Sequence, residues 1–501
     1  AHRRACLLNA EEFFFLNQSG SLLELGWDSD GAVDSVSKLW RYNQHYFDDL
    51  NAVNYAERGE WHLALMQRWV GENMPGAGVG WEPYPTSLRI VNWIKWQFAG
   101  NVLPEPCLES LAVQARCLMQ RIEWHILGNH LFANAKALVF AGIFFSGEEA
   151  DTWLHQGLAI ITDELPEQVL PDGGNFERSP MYHAIFLEDL LDLSNLAQAY
   201  PGVLPETQVT LWQEAAKRML LWYQAMLHPD GEIAFFNDAA IGIAPSPAEL
   251  LAYAQRLGIA EVDFGDLGSL QHLQQSGYVR VARGPMVALL DVAPVGPDYL
   301  PGHAHADTLT FELSLFVQRV IVNGGTSEYG TGEVRQQERG TAAHNTVLVN
   351  GKNSSEVWCG FRVARRAYPM DLMVEEAIKS VRVSCAHDGY RRLPGKPIHR
   401  RTWHFHEAAL VIEDQIEGPY ETAEAFFHLH PSVHIASEEA GVWLLQLAQG
   451  QQVLFAVERG TAQEMPSYYA PEFGKRLATR GFLVRLDAYG SRVRMDWSMN
   501  H

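Results

Sequence analysis

From about residue 35 to 260, apolar positions recur at three- and four-residue steps. In 209–227, Trp212, Ala215, Ala216, Met219, Leu220, Tyr223, Met226 and Leu227 form one wide stripe, the pattern of a helix with a buried apolar face. Similar stripes fall at 61–70, 87–98, 108–126, 131–145, 151–164 and 183–198. Between them stand the breakers Pro83-Tyr-Pro85, Pro104-Glu-Pro106, Pro171-Asp-Gly-Gly174 and Pro229-Asp-Gly231. The pattern predicts a series of helical hairpins. After about residue 270 the period drops towards two, as in Tyr278–Arg283, Asn345–Val349, Thr402–His406, Phe482–Leu486 and Arg492–Trp497. Short alternating segments rich in Val, Thr and aromatics predict antiparallel sheets with one wet face, a β-sandwich. The boundary is placed near 265, inside Val262–Ser269, giving a helical domain over 1–265 and a sandwich over 266–501. No low-complexity linker separates the halves, so they are expected to pack together with a site at their junction.

Composition narrows the function classes. The 501 residues are 47% hydrophobic and 20% charged, which is the balance of a packed protein and not of a disordered one. Sixty acidic against 38 basic side chains leave a formal charge of -22, which argues against nucleic acid and anionic membrane surfaces as partners. No run of about 18 apolar residues exists, so no membrane insertion is expected. Cys6, Cys107, Cys117, Cys359 and Cys385 lack C-x-x-C spacing, so neither a zinc knuckle nor a disulfide framework is read, and each is expected to be a buried thiol. The opening Ala1-His-Arg-Arg-Ala-Cys-Leu-Leu has neither an initiator Met nor an apolar leader core, so a removed leader or a trimmed chain is expected.

Five constellations carry candidate chemistry, and each has a plainer reading beside it. Gly128-Asn-His-Leu-Phe-Ala-Asn134 sets Asn129, His130 and Asn134 at the start of a helical stretch, where Asn129 is equally a helix N-cap. In Glu177-Arg-Ser-Pro-Met-Tyr-His183, Ser179-Pro180 opens a helix, leaving Tyr182 and His183 within it as site residues or as core aromatics with polar tips. In Gly302-His-Ala-His-Ala-Asp307, an extended 303–305 would project His303 and His305 from one face, with Asn323 and His344 joining from neighbouring strands. Imidazoles with an oxygen donor suit zinc or a similar divalent ion, Asp307 being the alternative carboxylate, and a metal-free polar cluster is the other reading. Trp81-Glu-Pro-Tyr-Pro-Thr-Ser-Leu-Arg89 joins rings to a guanidinium, so Trp81, Tyr84 and Arg89 suit an acidic glycan, or else pack on a core holding Trp93 and Trp96. Arg335, Arg339, Arg362, Arg365 and Arg366 form a basic exception that fits an anionic ligand or a solvated strand face.

Taken in order, the Asn-His-Leu-Phe-Ala-Asn134, Arg-Ser-Pro-Met-Tyr-His183, Gly-His-Ala-His-Ala-Asp307 and Arg-Gly-Thr-Ala-Ala-His-Asn345 segments resemble the heparinase II/III-like polysaccharide lyases. The resemblance implies an incomplete (α/α) toroid followed by an antiparallel β-sandwich, with the glycan in the groove between them. It implies cleavage of uronic-acid glycans by β-elimination, in which the substrate carboxylate is neutralised, the C5 proton removed and the leaving oxygen protonated. By the same resemblance Asn129 with His130 neutralises the carboxylate, and Tyr182 is base and acid together. In the opposite geometry His130 or His303 is the base and Tyr182 the acid. A tyrosine base needs positive charge beside it, from Arg178 or a histidine, and Tyr329 lines the groove from the sandwich side. Trp81, Tyr84, Arg89, Asn134, Arg178 and Arg339 are the expected substrate-binding set. His305 and His344 match positions that hold a structural metal, zinc being favoured, with Asn323 standing where family members have Asp. Competing readings are a glycoside hydrolase using Asp172, Glu177, Asp189 or Asp238, and a non-catalytic glycan-binding protein of a surface-polysaccharide pathway. The acidic body fits a bacterial exopolysaccharide or capsule at least as well as highly sulfated heparin, and glycan processing points to the periplasm or outside the cell.

Overall fold

The computed structural model describes residues 3–28, 35–259, 267–439 and 441–497; residue 265, where the change of period places the boundary, lies outside them. Each apolar stripe becomes a helix: Gly59–Glu72, Pro83–Phe98, Glu105–Gln120, Gly128–Phe144, Glu148–Gln168, Pro180–Ala199 and Glu206–Ala225. Two of the expected breakers start helices instead. Pro83 and Pro85 lie in the first turn of Pro83–Phe98, and Pro104 caps Glu105–Gln120. First-turn N–H groups have no partner within the helix, so proline loses nothing there. The stripe read over 108–126 ends early, at Gln120, and the residues after it form a turn.

Packing divides the chain into two compact units. One comprises Ala1–Val169, Ala184–Lys217 and Ala244–Ala260, the other Leu170–His183, Arg218–Ile243 and Glu261–His501. The second unit therefore takes two segments from the helical half, including the first turn of Pro180–Ala199, which a single cut at 265 assigns elsewhere.

In the first unit, Trp40, Trp69, Trp81 and Trp93 are wholly buried. The helix Gly128–Phe144 is buried nearly all round, which explains its apolar composition. A methyl group at Gly142 would lie 2.6 Å from Leu154 Cβ, and one at Gly157 2.6 Å from the Ala135 carbonyl, so small residues let this helix close on Glu148–Gln168. Arg89 is also fully buried: its guanidinium lies 3.8 Å over the Trp69 ring and donates to Gln114 Oε1 at 2.9 Å and the Gly80 carbonyl at 2.8 Å. Burial holds it well below the usual arginine range.

The second unit is an antiparallel β-sandwich. An eight-stranded sheet, a four-stranded sheet and a five-stranded sheet share one apolar core containing Phe311, Trp403, Phe427, Phe455 and Phe482. Ser491–Trp497 alternates buried and half-buried residues as a half-wet strand should. Met286–Asp291 and Phe311–Leu315 are buried at every position, so the expected wet face is absent from the middle of the five-stranded sheet. All five cysteines are free thiols; Cys107 and Cys385 are buried, but Cys359 is exposed, contrary to expectation. Among the described residues no helix is long and apolar enough to cross a membrane.

Two buried histidines tie stability to pH. His45 Nδ1 accepts from Trp69 Nε1 at 3.0 Å while Nε2 meets the Trp27 carbonyl at 3.1 Å. His183 Nδ1 accepts from the Asn175 N–H at 3.3 Å while Nε2 meets the Met219 carbonyl at 2.9 Å. A second ring proton would oppose a donor in each case, and burial lowers both rings to about 3. The unfolded chain binds these protons first, so stability is lost as pH falls from about 6.5 towards 3, by up to about 1.4 kcal/mol per pH unit for each ring. Urea unfolding between pH 7 and pH 4 should show a falling midpoint; a flat midpoint would refute this. Arg89→Ala should cost about 3 kcal/mol in the same assay, since it empties a core site and leaves buried acceptors unpaired.

Candidate active site

The second unit builds a polar cluster around Asp238, which is fully buried. Its Oδ2 meets His303 Nδ1 at 2.9 Å and Arg335 Nη2 at 2.8 Å, and its Oδ1 meets His305 Nε2 at 2.8 Å and Arg335 Nη1. Thr326 Oγ1 adds a long contact of 3.4 Å to Oδ1. Burial alone would raise this carboxyl, but Arg335 and the two imidazoles hold it well below the usual range, so it is ionised. The backbone is fixed too: the Asp238 N–H donates to the His303 carbonyl at 2.9 Å, and Ser179 Oγ donates to the Asp238 carbonyl at 2.5 Å.

Ser179 also accepts from the Tyr182 N–H at 3.2 Å, so it caps the helix that Pro180 opens, as the sequence predicts. The Tyr182 ring stacks on His303 with centroids 3.8 Å apart, and its hydroxyl lies 2.8 Å from that of Tyr329. His303 Nε2 is 3.5 Å from Glu177 Oε2, so carboxylates flank the imidazole at both nitrogens. Arg335 lies 4.9 Å over the Tyr329 ring. Burial, then Tyr329 and Asp238, push the Tyr182 phenol well up, so it is a protonated donor at rest. Burial and Asp238 raise Tyr329 likewise, against the pull of Arg335.

His303 and His305 do not share a strand face. Residues 303–305 lie in a loop, and the two rings meet through the shared Asp238 carboxylate instead. His305 Nδ1 lies 3.2 Å from His344 Nε2, and His344 Nδ1 lies 3.2 Å from Asn323 Oδ1, which also accepts from Thr310 Oγ1 at 2.7 Å. His344 thus turns opposite nitrogens to its two neighbours, and the three donors form a row. Zinc needs donors converging at about 2.0–2.2 Å on one centre, so this set does not fit the expected structural ion. The alternative carboxylate, Asp307, is committed to the Asn237 N–H at 3.4 Å, and burial pushes it up to about 6. Among the described residues no group of three or more His, Cys, Asp or Glu is placed to hold a metal.

The first unit brings together Asn129, His130 and Tyr84. Asn129 is not an N-cap: the helix already begins at Gly128, and both residues ahead of Asn129, Leu127 at φ 63° and Gly128 at φ 55°, are left-handed. The Tyr84 ring lies 4.3 Å from His130, and its hydroxyl hydrogen-bonds Asn129. His130 Nδ1 meets Glu123 Oε1 at 3.1 Å. Glu123 is the residue that sequence reading missed, because nothing in the spacing of 121–127 marks it.

Four of the expected substrate-binding residues are buried structural members. Trp81 packs on Trp69, and Arg89 is closed in the same core. Asn134 donates to Ser87 Oγ at 3.0 Å and to Glu123 Oε2 at 3.1 Å, and accepts from the Glu123 N–H at 2.9 Å. Arg339 donates to the carbonyl of Ala304 at 3.0 and 3.2 Å, bracing the His303 loop. Arg178 is half-buried and donates to the carbonyls of Ser276 at 3.1 Å and Pro294 at 3.0 Å; the cation over the Tyr329 ring is Arg335. Of the acids named for hydrolysis, Asp172 accepts from the Ser276 N–H and hydroxyl, Asp189 is held by Lys136, and Asp238 is enclosed as described.

The sequence matches the heparinase II/III N-terminus over residues 99–249 and the heparinase II/III-like, C-terminal domain over residues 266–498. The heparin-sulfate lyase of Bacteroides stercoris is 26% identical over 372 residues, covering 70% of this chain and 53% of that protein. This chain spans about half or less of the length of the curated relatives it matches. A solved heparinase III superposes with a TM-score of 0.76 at 18% identity, over 94% of this chain and 79% of the other. A heparinase III gene product gives 0.69 at 19% identity, over 95% and 81%. Those two likenesses are of fold; joined to the family matches in both halves, they establish that the chain belongs to the heparinase II/III-like family.

Proposed function

We propose that this protein is a polysaccharide lyase that cleaves a uronate-bearing glycan by β-elimination. The observation that supports it most is the Tyr182 hydroxyl, 2.8 Å from that of Tyr329, on a ring stacked against an imidazole that a buried carboxylate orients. Elimination removes the proton from C5, forms the C4–C5 double bond and breaks the bond from C4 to the glycosidic oxygen, which takes up a proton. Tyr182 is assigned the acid that protonates that oxygen, because its surroundings favour the phenol over the phenolate. His303, with Nδ1 committed to Asp238, is assigned the base through Nε2, and Glu177 beside that nitrogen stabilises the imidazolium that forms. Asn129, backed by Tyr84 and His130, is assigned the hydrogen bond that neutralises the uronate carboxylate, on which negative charge builds in the transition state.

Hydrolysis by two carboxylates is disfavoured, because three of the four candidate acids, Asp172, Asp189 and Asp238, are committed to donors inside the protein and the fourth, Glu177, lies against His303 Nε2. The relatives' names point to a heparin-like glycan, whereas a formal charge of -22 favours a less densely sulfated one. Handling such a polymer favours the periplasm or the outside of the cell over the cytoplasm. Mixed with a panel of uronate polysaccharides, the protein should produce unsaturated uronate, read as rising ultraviolet absorbance. Tyr182→Phe and His303→Gln should each lower that rate at least about 100-fold. New reducing ends without ultraviolet absorbance would establish hydrolysis and overturn the reading.

A further inference from the structure

A small hairpin beside the catalytic tyrosines has no part in the chemistry assigned above. Val357–Trp358 pairs antiparallel with Arg362–Val363, and Arg362 stands directly opposite Trp358. Directly opposed residues project from the same face of a hairpin, with Cβ atoms about 5 Å apart. Trp358 is 53% exposed, and Arg362 is exposed as well. The other outward arginines nearby are engaged: Arg365 pairs with Glu356 at 2.6 Å and Arg366 with Asp298 at 3.1 Å. Among the described residues no carboxylate pairs with the guanidinium of Arg362, in a chain where acids outnumber bases.

The hairpin is tied rigidly to the catalytic cluster. Phe361 at its turn packs edge-on against Tyr329 at 5.1 Å and His303 at 5.9 Å. Arg335, whose other nitrogens hold Asp238, donates to the Gly360 carbonyl at 3.1 Å. Arg339, which braces the His303 loop, also donates to the carbonyls of Trp358 at 3.4 Å and Arg362 at 3.3 Å. Two buried guanidiniums therefore set this hairpin and the catalytic imidazole in one register, so a group bound on the hairpin is bound in register with the reacting centre.

We propose that Trp358 and Arg362 form a glycan subsite, with the apolar face of one sugar ring on the indole and its anionic substituent, carboxylate or sulfate, on the guanidinium. This rests on the lyase reading and adds to it a determinant of which acidic glycan is held. The test uses heparan sulfate and the unsulfated uronate glycan hyaluronan as probes, with Trp358→Ala, Trp358→Phe, Arg362→Ala and Arg362→Lys. Both residues are exposed, so unfolding midpoints should stay unchanged. The alanine variants should raise KM about tenfold with kcat within twofold, and the conservative variants should recover part of the loss. The same substitutions in a Tyr182→Phe chain, measured by direct glycan binding, should raise Kd to the same extent. Loss by Arg362→Ala confined to heparan sulfate would assign a sulfate, and equal loss on both probes a carboxylate. Unchanged KM and Kd in active variants, or a fall in kcat alone, would overturn the subsite while leaving the lyase reading intact. Binding lost in these variants of a chain that forms no unsaturated product would sink the lyase reading and retain the subsite. A parent chain that neither binds nor cleaves either probe would overturn both.

Discussion

A carboxylate removed from water is costly unless charged donors surround it, and Asp238 answers that demand with His303, His305 and Arg335. These partners come from separate stretches of chain, a loop and the helix Glu333–Arg339, so satisfying one charge brings both to one point. The orientation of His303 follows from its bond to Asp238, and the place of Tyr182 follows in turn from the ring it stacks on. Removing one of these partners would leave the buried charge under-compensated, which makes the cluster a structural requirement before it is a chemical one.

Buried guanidiniums recur as a building device. Arg89, Arg335, Arg339 and Arg401 are all wholly buried, and each uses its planar array of donors to hold several acceptors at once. Arg401 joins both oxygens of Asp414, at 2.7 and 2.9 Å, to the Leu309 carbonyl at 3.1 Å, linking a strand of the large sheet to the loop before Phe311–Leu315. Lysine, a single point charge on a flexible stem, has no comparable reach. Much of the basic side-chain complement that looks available for an acidic ligand in a list of residues is therefore engaged in crosslinking carbonyls.

Three of the left-handed residues other than glycine stand just ahead of polar segments. Leu127, Arg178 and Asn237 adopt left-handed φ of 63°, 58° and 57°, immediately before Gly128, Ser179 and Asp238. Such conformations cost of order 1–3 kcal/mol for residues other than glycine and persist only where surrounding bonds fix them. Here the Arg178 carbonyl accepts from Asn237 Nδ2 at 3.0 Å and from the Tyr278 hydroxyl at 2.7 Å. The two strained turns of the second unit thus hold each other, and the strain aims Ser179 at the Asp238 carbonyl.

Periodicity alone determined the two element types and the seven long helices, because burial of one stripe or one face leaves a direct mark on residue order; the short helices Lys38–Tyr46, Pro247–Arg256 and Glu333–Arg339 left no stripe to read. Local chemistry also made the helix start at Ser179-Pro180 legible, since a first-turn proline depends only on neighbours in sequence. What only the tertiary structure decided was the use of each polar side chain. Trp81, Arg89, Asn134 and Arg339 have the chemistry of glycan binders, yet burial committed them to the interior. His305, Asn323 and His344 have the composition of a metal site, yet the direction of each nitrogen sets them in a row. Glu123 and Asp238 owe their roles to partners 7 to 97 residues away, His130 and Arg335, and such distances leave no spacing to read. Residue type fixes what a side chain is able to bind; only the folded arrangement fixes what reaches it, because hydrogen bonds and ion pairs are decided over about 3 Å of space and not by position along the chain.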